Sequence, residues 1–269
     1  MPDLTDVDLR AALRTAATAE LCWVSAGRPY GSPVVPLQVD GAPALAVPYS
    51  QVRWAREVAA QAEVVLTVSD PRLSGRRWKA VRLRARPRLV EDRDGDLFVD
   101  EMLTDELRKY PPSRALVDSI LLRRENWWYV PRLVVHLDVT EAEPFAERFE
   151  PATEMVLVTA EHGGGQNPRA RTDAVRVTSP GASPLRLEPL GTVPLPADTD
   201  DALLLGHDFT SPDMELWQTY EARGPLTSQA LQAEVPVFSG VGRRMPRLAE
   251  RLRGHRDLRR ACVAGLRAT

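Results

Sequence analysis

A chain of 269 residues with 43% apolar side chains can bury one large core or two small ones. A formal net charge of −2 argues against a chain built as a whole for nucleic acid or an anionic membrane. Cys22 and Cys262 stand far apart, which excludes a disulfide framework and a cysteine-based metal site. The acidic N-terminus and the lack of an apolar run of about 18 residues predict neither export signal nor membrane span, hence a cytoplasmic protein. All of the 35 basic residues except Lys79 and Lys109 are arginine, which reads as composition first and function second.

Thr5-Asp6-Val7-Asp8 sets a hydroxyl three residues ahead of a carboxylate, a helix start. Leu9, Ala12, Leu13 and Ala16 then share one face of a helix ending near Ala17, expected to plug one end of a barrel. From Glu20 to Asp70 the pattern reads strand (Leu21–Ala26), turn (Gly27, Arg28), strand (Tyr30–Val39), turn (Asp40–Gly41) and strand (Ala44–Pro48). Tyr49, Ser50, a short helix carrying Arg53, Trp54 and Arg56, and a strand Glu63–Val68 follow. A hydroxyl and two guanidinium groups at a helix start suit an oxyanion such as phosphate.

Asp70–Arg77 reads as a polar loop. Trp78–Val90 alternates Val81, Leu83 and Ala85 with Arg82, Arg84 and Arg86, so the arginines are expected on a solvated exterior, with a site for a multiply charged ligand as the alternative. Asp94–Tyr110 has helical spacing, Pro111-Pro112 ends it, and Ser113 can cap a second helix through Leu121 or Leu122. Trp127–Val139 is apolar enough for a buried strand, and acidic Glu141–Glu150 marks a boundary between domains 1–145 and 146–269. Val35-Pro36-Leu37, Asp40 and Ala44-Leu45 recur as Val193-Pro194-Leu195, Asp198 and Ala202-Leu203, which predicts duplication at a constant offset of 158. That offset lays Tyr49 and Ser50 on His207 and Asp208, with a tryptophan-bearing helix (Trp54, Trp217) after each. Arg243–Arg267 reads as a final helix with Leu248, Leu252 and Leu258 on its apolar side.

Gly27-Arg28-Pro29-Tyr30-Gly31-Ser32-Pro33-Val34-Val35-Pro36, then Asp40-Gly41, then Ser50-Gln51-Val52-Arg53 resembles the flavin-binding split β-barrel family of pyridoxamine 5′-phosphate oxidase and its relatives. Trp78–Val90 and Trp127–Arg132 resemble the family's later strands, so the likeness covers roughly residues 8 to 140. It implies an α+β, barrel-dominated fold: an FMN-binding split barrel, duplicated within the chain, with short peripheral helices. Relatives use FMN, the deazaflavin F420 or haem. By that resemblance Ser50, Arg53 and Arg56 would hold a cofactor phosphate beside Tyr49, and Val34, Val35, Val47 and Pro48 would wall an isoalloxazine-like ring. The family's usual basic residue after this strand is absent, and Arg53 or Arg56 must serve. The expected partner is a small-molecule substrate, without nucleic acid or membrane. A homodimer, or a pseudo-dimer within one chain, is the expected assembly.

Other motifs weigh less. His162-Gly163-Gly164-Gly165 is similar to an esterase oxyanion loop, but no G-x-S-x-G accompanies it. Neither G-x-G-x-x-G, a P-loop nor H-E-x-x-H occurs. Trp54 and Trp217 read as core. Trp127, Trp128 and Tyr129 form an aromatic cluster suited to an interface or pocket wall, with Arg132 able to reach a ligand anion. His136 reads as a satisfied core histidine, and His207 as a candidate for proton transfer or haem ligation. The arginines of the last helix read as a solvated face or a subunit contact. Function therefore stands as a flavin-dependent oxidoreductase on an unknown small molecule. A haem-binding or haem-degrading barrel and a non-catalytic protein with a decayed site stay open, and no catalytic residue is nominated.

Overall fold

Two tight turns start the architecture. The structure, a computed structural model, describes residues 5–74, 78–117, 127–161, 168–233 and 248–269. The glycine run at His162–Gly165, Leu121, Leu122, and Arg243, Arg244 and Arg247 lie outside them. Helix α1 (Asp6–Thr15) begins at the expected capping box, Thr5 Oγ1 accepting the Asp8 N–H and Asp8 Oδ2 accepting the Thr5 N–H, both at 3.2 Å. Strand β1 (Ala19–Ser25) pairs with β2 (Arg28–Val34), and β3 (Leu37–Val39) with β4 (Ala42–Pro48). Both turns have positive φ at both central residues, 50° and 77° at Ala26–Gly27 and 51° and 79° at Asp40–Gly41. That geometry matches the right-handed twist of the strands it joins. The first turn falls one residue earlier than expected because Arg28 already pairs with Ser25. The single strand expected over Tyr30–Val39 breaks at Val35 and Pro36, since proline brings no N–H to a ladder.

A short 3₁₀ turn (Tyr49–Gln51) and α2 (Val52–Ala59) lead to β5 (Val64–Val68), β6 (Val81–Asp92) and β7 (Arg132–Pro144). These complete a seven-stranded antiparallel sheet ordered β2-β1-β5-β6-β7-β4-β3. Both later strands start after the expected points: Trp78 precedes β6, and Trp127–Tyr129 is a 3₁₀ turn ahead of β7. Between β6 and β7 lie a π-type turn (Phe98–Met102), α3 (Leu103–Lys109), a 3₁₀ turn (Pro111–Ser113) and α4 (Arg114–Val117).

The second half forms a closed barrel of β8 (Glu154–Glu161), β9 (Arg169–Val177), β10 (Leu185–Pro189), β11 (Thr199–Phe209), β12 (Trp217–Thr227) and β13 (Ala230–Leu231), ordered β10-β13-β12-β11-β8-β9. The protein is thus a β-dominated α+β fold with two barrel-like halves, consistent with duplication. The strand pairing does not follow the 158-residue offset, which lays β4 on β11. Instead β11 lies between β8 and β12 as β5 lies between β1 and β6. Trp217 opens β12 and rides no helix, because the chain reverses within residues 210–216 straight into a strand.

The halves meet face to face. Cys22 and Val65 of the sheet, with Val24 beside them, pack on Val156, Val158, Ala170, Leu203 and Leu205 of the barrel. Each valine or leucine fully buried in this seam contributes about 1.5–3 kcal/mol. The approach is close at Gly31: a Cβ there would stand 2.8 Å from Leu205 Cδ2, which would have to shift. Arg82 and Arg84 do not face solvent as expected. They cross the seam, Nη1 donating to the carbonyls of Thr172 (2.8 Å) and Ala170 (3.1 Å). Helix α5 (Leu248–Ala268) returns from the second half to the first and packs on the Tyr49–Gln51 turn. Its arginines 251, 253, 256, 259 and 260 are exposed. No helix among the described residues is long and apolar enough to cross a membrane.

Candidate functional site

A cavity of about 530 Å³ opens where the sheet, the barrel and α5 converge. Strand β2 supplies Val34, β4 supplies Val47 and Pro48, and Val35 follows β2. Trp54 of α2 and Trp217 of β12 add two indoles, and Gly254, His255 and Leu258 of α5 close one side. Glu106 and Tyr129 complete the opposite wall. Among the described lining residues Glu106 is the one carboxylate, and no lysine or arginine appears.

The expected ring-wall residues Val34, Val35, Val47 and Pro48 all line this space. Tyr49 does not line it: it is 1% exposed, its hydroxyl without a partner among the described residues and its pKa raised by burial and then by Glu91. Ser50 is half-buried. Arg53 is exposed, and Arg56 is exposed and paired with Glu91 at 3.2 Å; neither lines the cavity. The turn that precedes them is covered by α5. A Cβ on Gly265 would stand 2.0 Å from the Tyr49 carbonyl oxygen, so glycine alone permits the contact. Trp54 and Trp217 are cavity walls as well as core: Trp54 meets Trp23 edge-on at 6.3 Å, and Trp217 lies 5.9 Å from Tyr110.

Arg132 reaches no open space. It is fully buried, stacked 3.8 Å over the Tyr129 ring and 4.1 Å over Phe98, with Nη2 donating to Glu106 Oε1 at 3.4 Å. The same oxygen accepts from Ser113 Oγ (2.6 Å) and Tyr129 OH (3.0 Å). Burial, and then the Glu106 charge, push the Tyr129 hydroxyl well up, so it remains a donor. This cluster escaped the sequence reading because Glu106 looked like one more acid on an acidic helix.

His207 also differs from expectation. It is 2% exposed, lies outside the cavity, and its Nε2 contacts Glu20 Oε1 at 2.7 Å. Glu20 Oε1 also accepts from Arg148 Nη2, while Oε2 accepts from Thr67 Oγ1 at 2.8 Å. Burial works to raise the Glu20 pKa, but Arg148, His207 and Thr67 outweigh it and hold the carboxyl at about 2. His207 thus joins the two halves through Nε2, away from the cavity. His136 is half-buried on β7, its pKa lowered by burial and then by Arg88.

Neither a family model nor a curated protein matches the chain. Solved structures do. The FAD and heme binding protein from Mycobacterium smegmatis matches over 71% of this chain and 92% of its own, at 15% identity and a TM-score of 0.38. HutZ, the heme storage protein from Vibrio cholerae, matches over 51% and 92%, at 15% identity and 0.36. A protein designated a candidate pyridoxamine 5′-phosphate oxidase from Listeria innocua matches over 52% and 96%, at 10% identity and 0.34. The likeness is one of fold. At these scores it transfers no residue and no ligand, and the site stands on its own geometry.

Proposed function

We propose that the cavity binds a flat, flavin-type ring and that the protein is an oxidoreductase acting through it on a small molecule. The observation that carries this is a space of about 530 Å³ in which aliphatic side chains and two indoles stand beside the polar Ser32, Gln51, Thr219 and His255, within the usual range of small-molecule sites. The lining fits the ring. Among the described lining residues Glu106 is the one carboxylate and neither lysine nor arginine is present, which favours a ring over a phosphate at this wall. A bound flavin would supply hydride or electron transfer. The chain's part is to flank the ring with Val34, Val47, Trp54 and Trp217, and to exclude water under α5.

Phosphate anchoring by Ser50, Arg53 and Arg56 outside the cavity is a separate part of the proposal. Titrating the purified protein with riboflavin and FMN, read by the visible spectrum, tests both parts. Micromolar binding of either supports the ring site. No binding at tens of micromolar removes it and leaves a non-catalytic scaffold. FMN binding about tenfold tighter than riboflavin, with the margin lost in Arg53→Ala, supports the anchor. Equal affinities remove it. F420 and haem belong in the same titration, a Soret band turning the reading toward haem.

The proposal includes a cytoplasmic setting, supported by two buried, unpaired cysteines. It also takes the closed barrel, packed on β1, β2 and β5, as standing where a second subunit would. A monomeric mass in solution is the expected result.

A further inference from the structure

We infer that Glu106 is the recognition group of this cavity and that its ligand presents an N–H donor, an imide or a protonated amine, to that carboxylate. The inference rests on the ring-binding reading above and names the chemistry that the ring must carry.

Glu106 is 6% exposed, yet it lines the cavity. Burying a carboxylate is costly unless its acceptors are used. Ser113, Tyr129 and Arg132 all donate to Oε1, and among the described residues no donor reaches Oε2. Three donors on one oxygen fix the carboxylate rigidly and leave half its accepting capacity unused. Arg132, itself fully buried between two rings, supplies the balancing charge from behind. A group held in this way is preorganised to accept a hydrogen bond from whatever fills the space. A phosphate or carboxylate at that wall would meet like charge, and an N–H or a cation would meet its complement.

The probes are riboflavin, whose ring imide carries one N–H, and 3-methylriboflavin, which lacks it. Neither has a phosphate, so the outcome is independent of Arg53. In the wild-type protein riboflavin is expected to bind at least about tenfold tighter than the methylated form, the worth of one hydrogen bond to a charged group. In Glu106→Gln that preference should vanish. Equal binding of the two probes by wild-type protein overturns the inference and spares the ring site. Should the variant fail to fold, the wild-type comparison decides alone. If no flavin binds, proflavine, a flat tricyclic cation with amino N–H groups, is titrated by fluorescence. Binding weakened at least about tenfold by Glu106→Gln keeps the carboxylate assignment while the flavin reading falls. Absence of proflavine binding, or binding indifferent to the variant, removes both.

Discussion

Three glutamates are buried among the described residues, Glu20, Glu106 and Glu154, and the first two are used differently. Glu20 sits in the seam between the halves with donors on both oxygens, from Arg148 and His207 on one and Thr67 on the other. Glu106 sits at a cavity wall and, among the described residues, every donor falls on one oxygen. Full satisfaction makes the first a structural clamp: nothing is left for a ligand, and the His207 contact is lost if the halves separate. Partial satisfaction makes the second a site. Burial alone therefore does not distinguish scaffold from function; the distribution of donors over the two oxygens does.

The largest expected effect lies at the clamp. Glu20→Ala leaves Arg148 and His207 buried without their acceptor and should lower unfolding free energy by about 3–5 kcal/mol, measured by urea denaturation. A loss below about 1 kcal/mol would reduce the clamp to an ordinary surface pair and dissolve the contrast. Acid offers a second probe of the same group. Glu20 titrates at about 2 in the fold against 4.5 ordinarily, so between those values the unfolded chain takes the proton first. Its contribution, about 3 kcal/mol, is complete above pH 4.5 or so and fades as the pH falls toward 2. Urea midpoints that stay flat across that window would show that Glu20 is not the group responsible. Gly265→Ala sharpens the other side. A methyl forced on the Tyr49 carbonyl should lift α5 at about 1–3 kcal/mol, raise protease sensitivity of the helix, and weaken riboflavin binding. Acid sensitivity should stay as in wild type, because the clamp lies elsewhere. A variant as protease-resistant as wild type would mean that the helix accommodates the methyl.

The hairpins were legible because Gly27 and Gly41 punctuate alternating apolar runs, and turn chemistry is local. Val34, Val35, Val47 and Pro48 were legible through resemblance, which marks one wall of the cavity. The remaining walls were not. Trp217 and Leu258 reach the site only after the barrel docks and α5 returns, and no local pattern encodes a contact across such separations. Arg53 and Arg56 look like anion ligands because they follow a hydroxyl at a helix start. The helix face that they occupy turns to solvent, since Ala55 and Val58 take the buried face. The 158-residue offset rested on valines, leucines and prolines shared by any two β-runs, and pairing order overrode it.

One consequence follows from the way the cavity is enclosed. Its walls come from unlike parts, β2 and β4 on one side and β12 with α5 on the other, each present once per chain. In a symmetric pair of identical subunits, a substitution on one wall reappears in both copies of the site. Here each wall can drift separately, so selection can retune what enters without disturbing the surface that the entrant lies against.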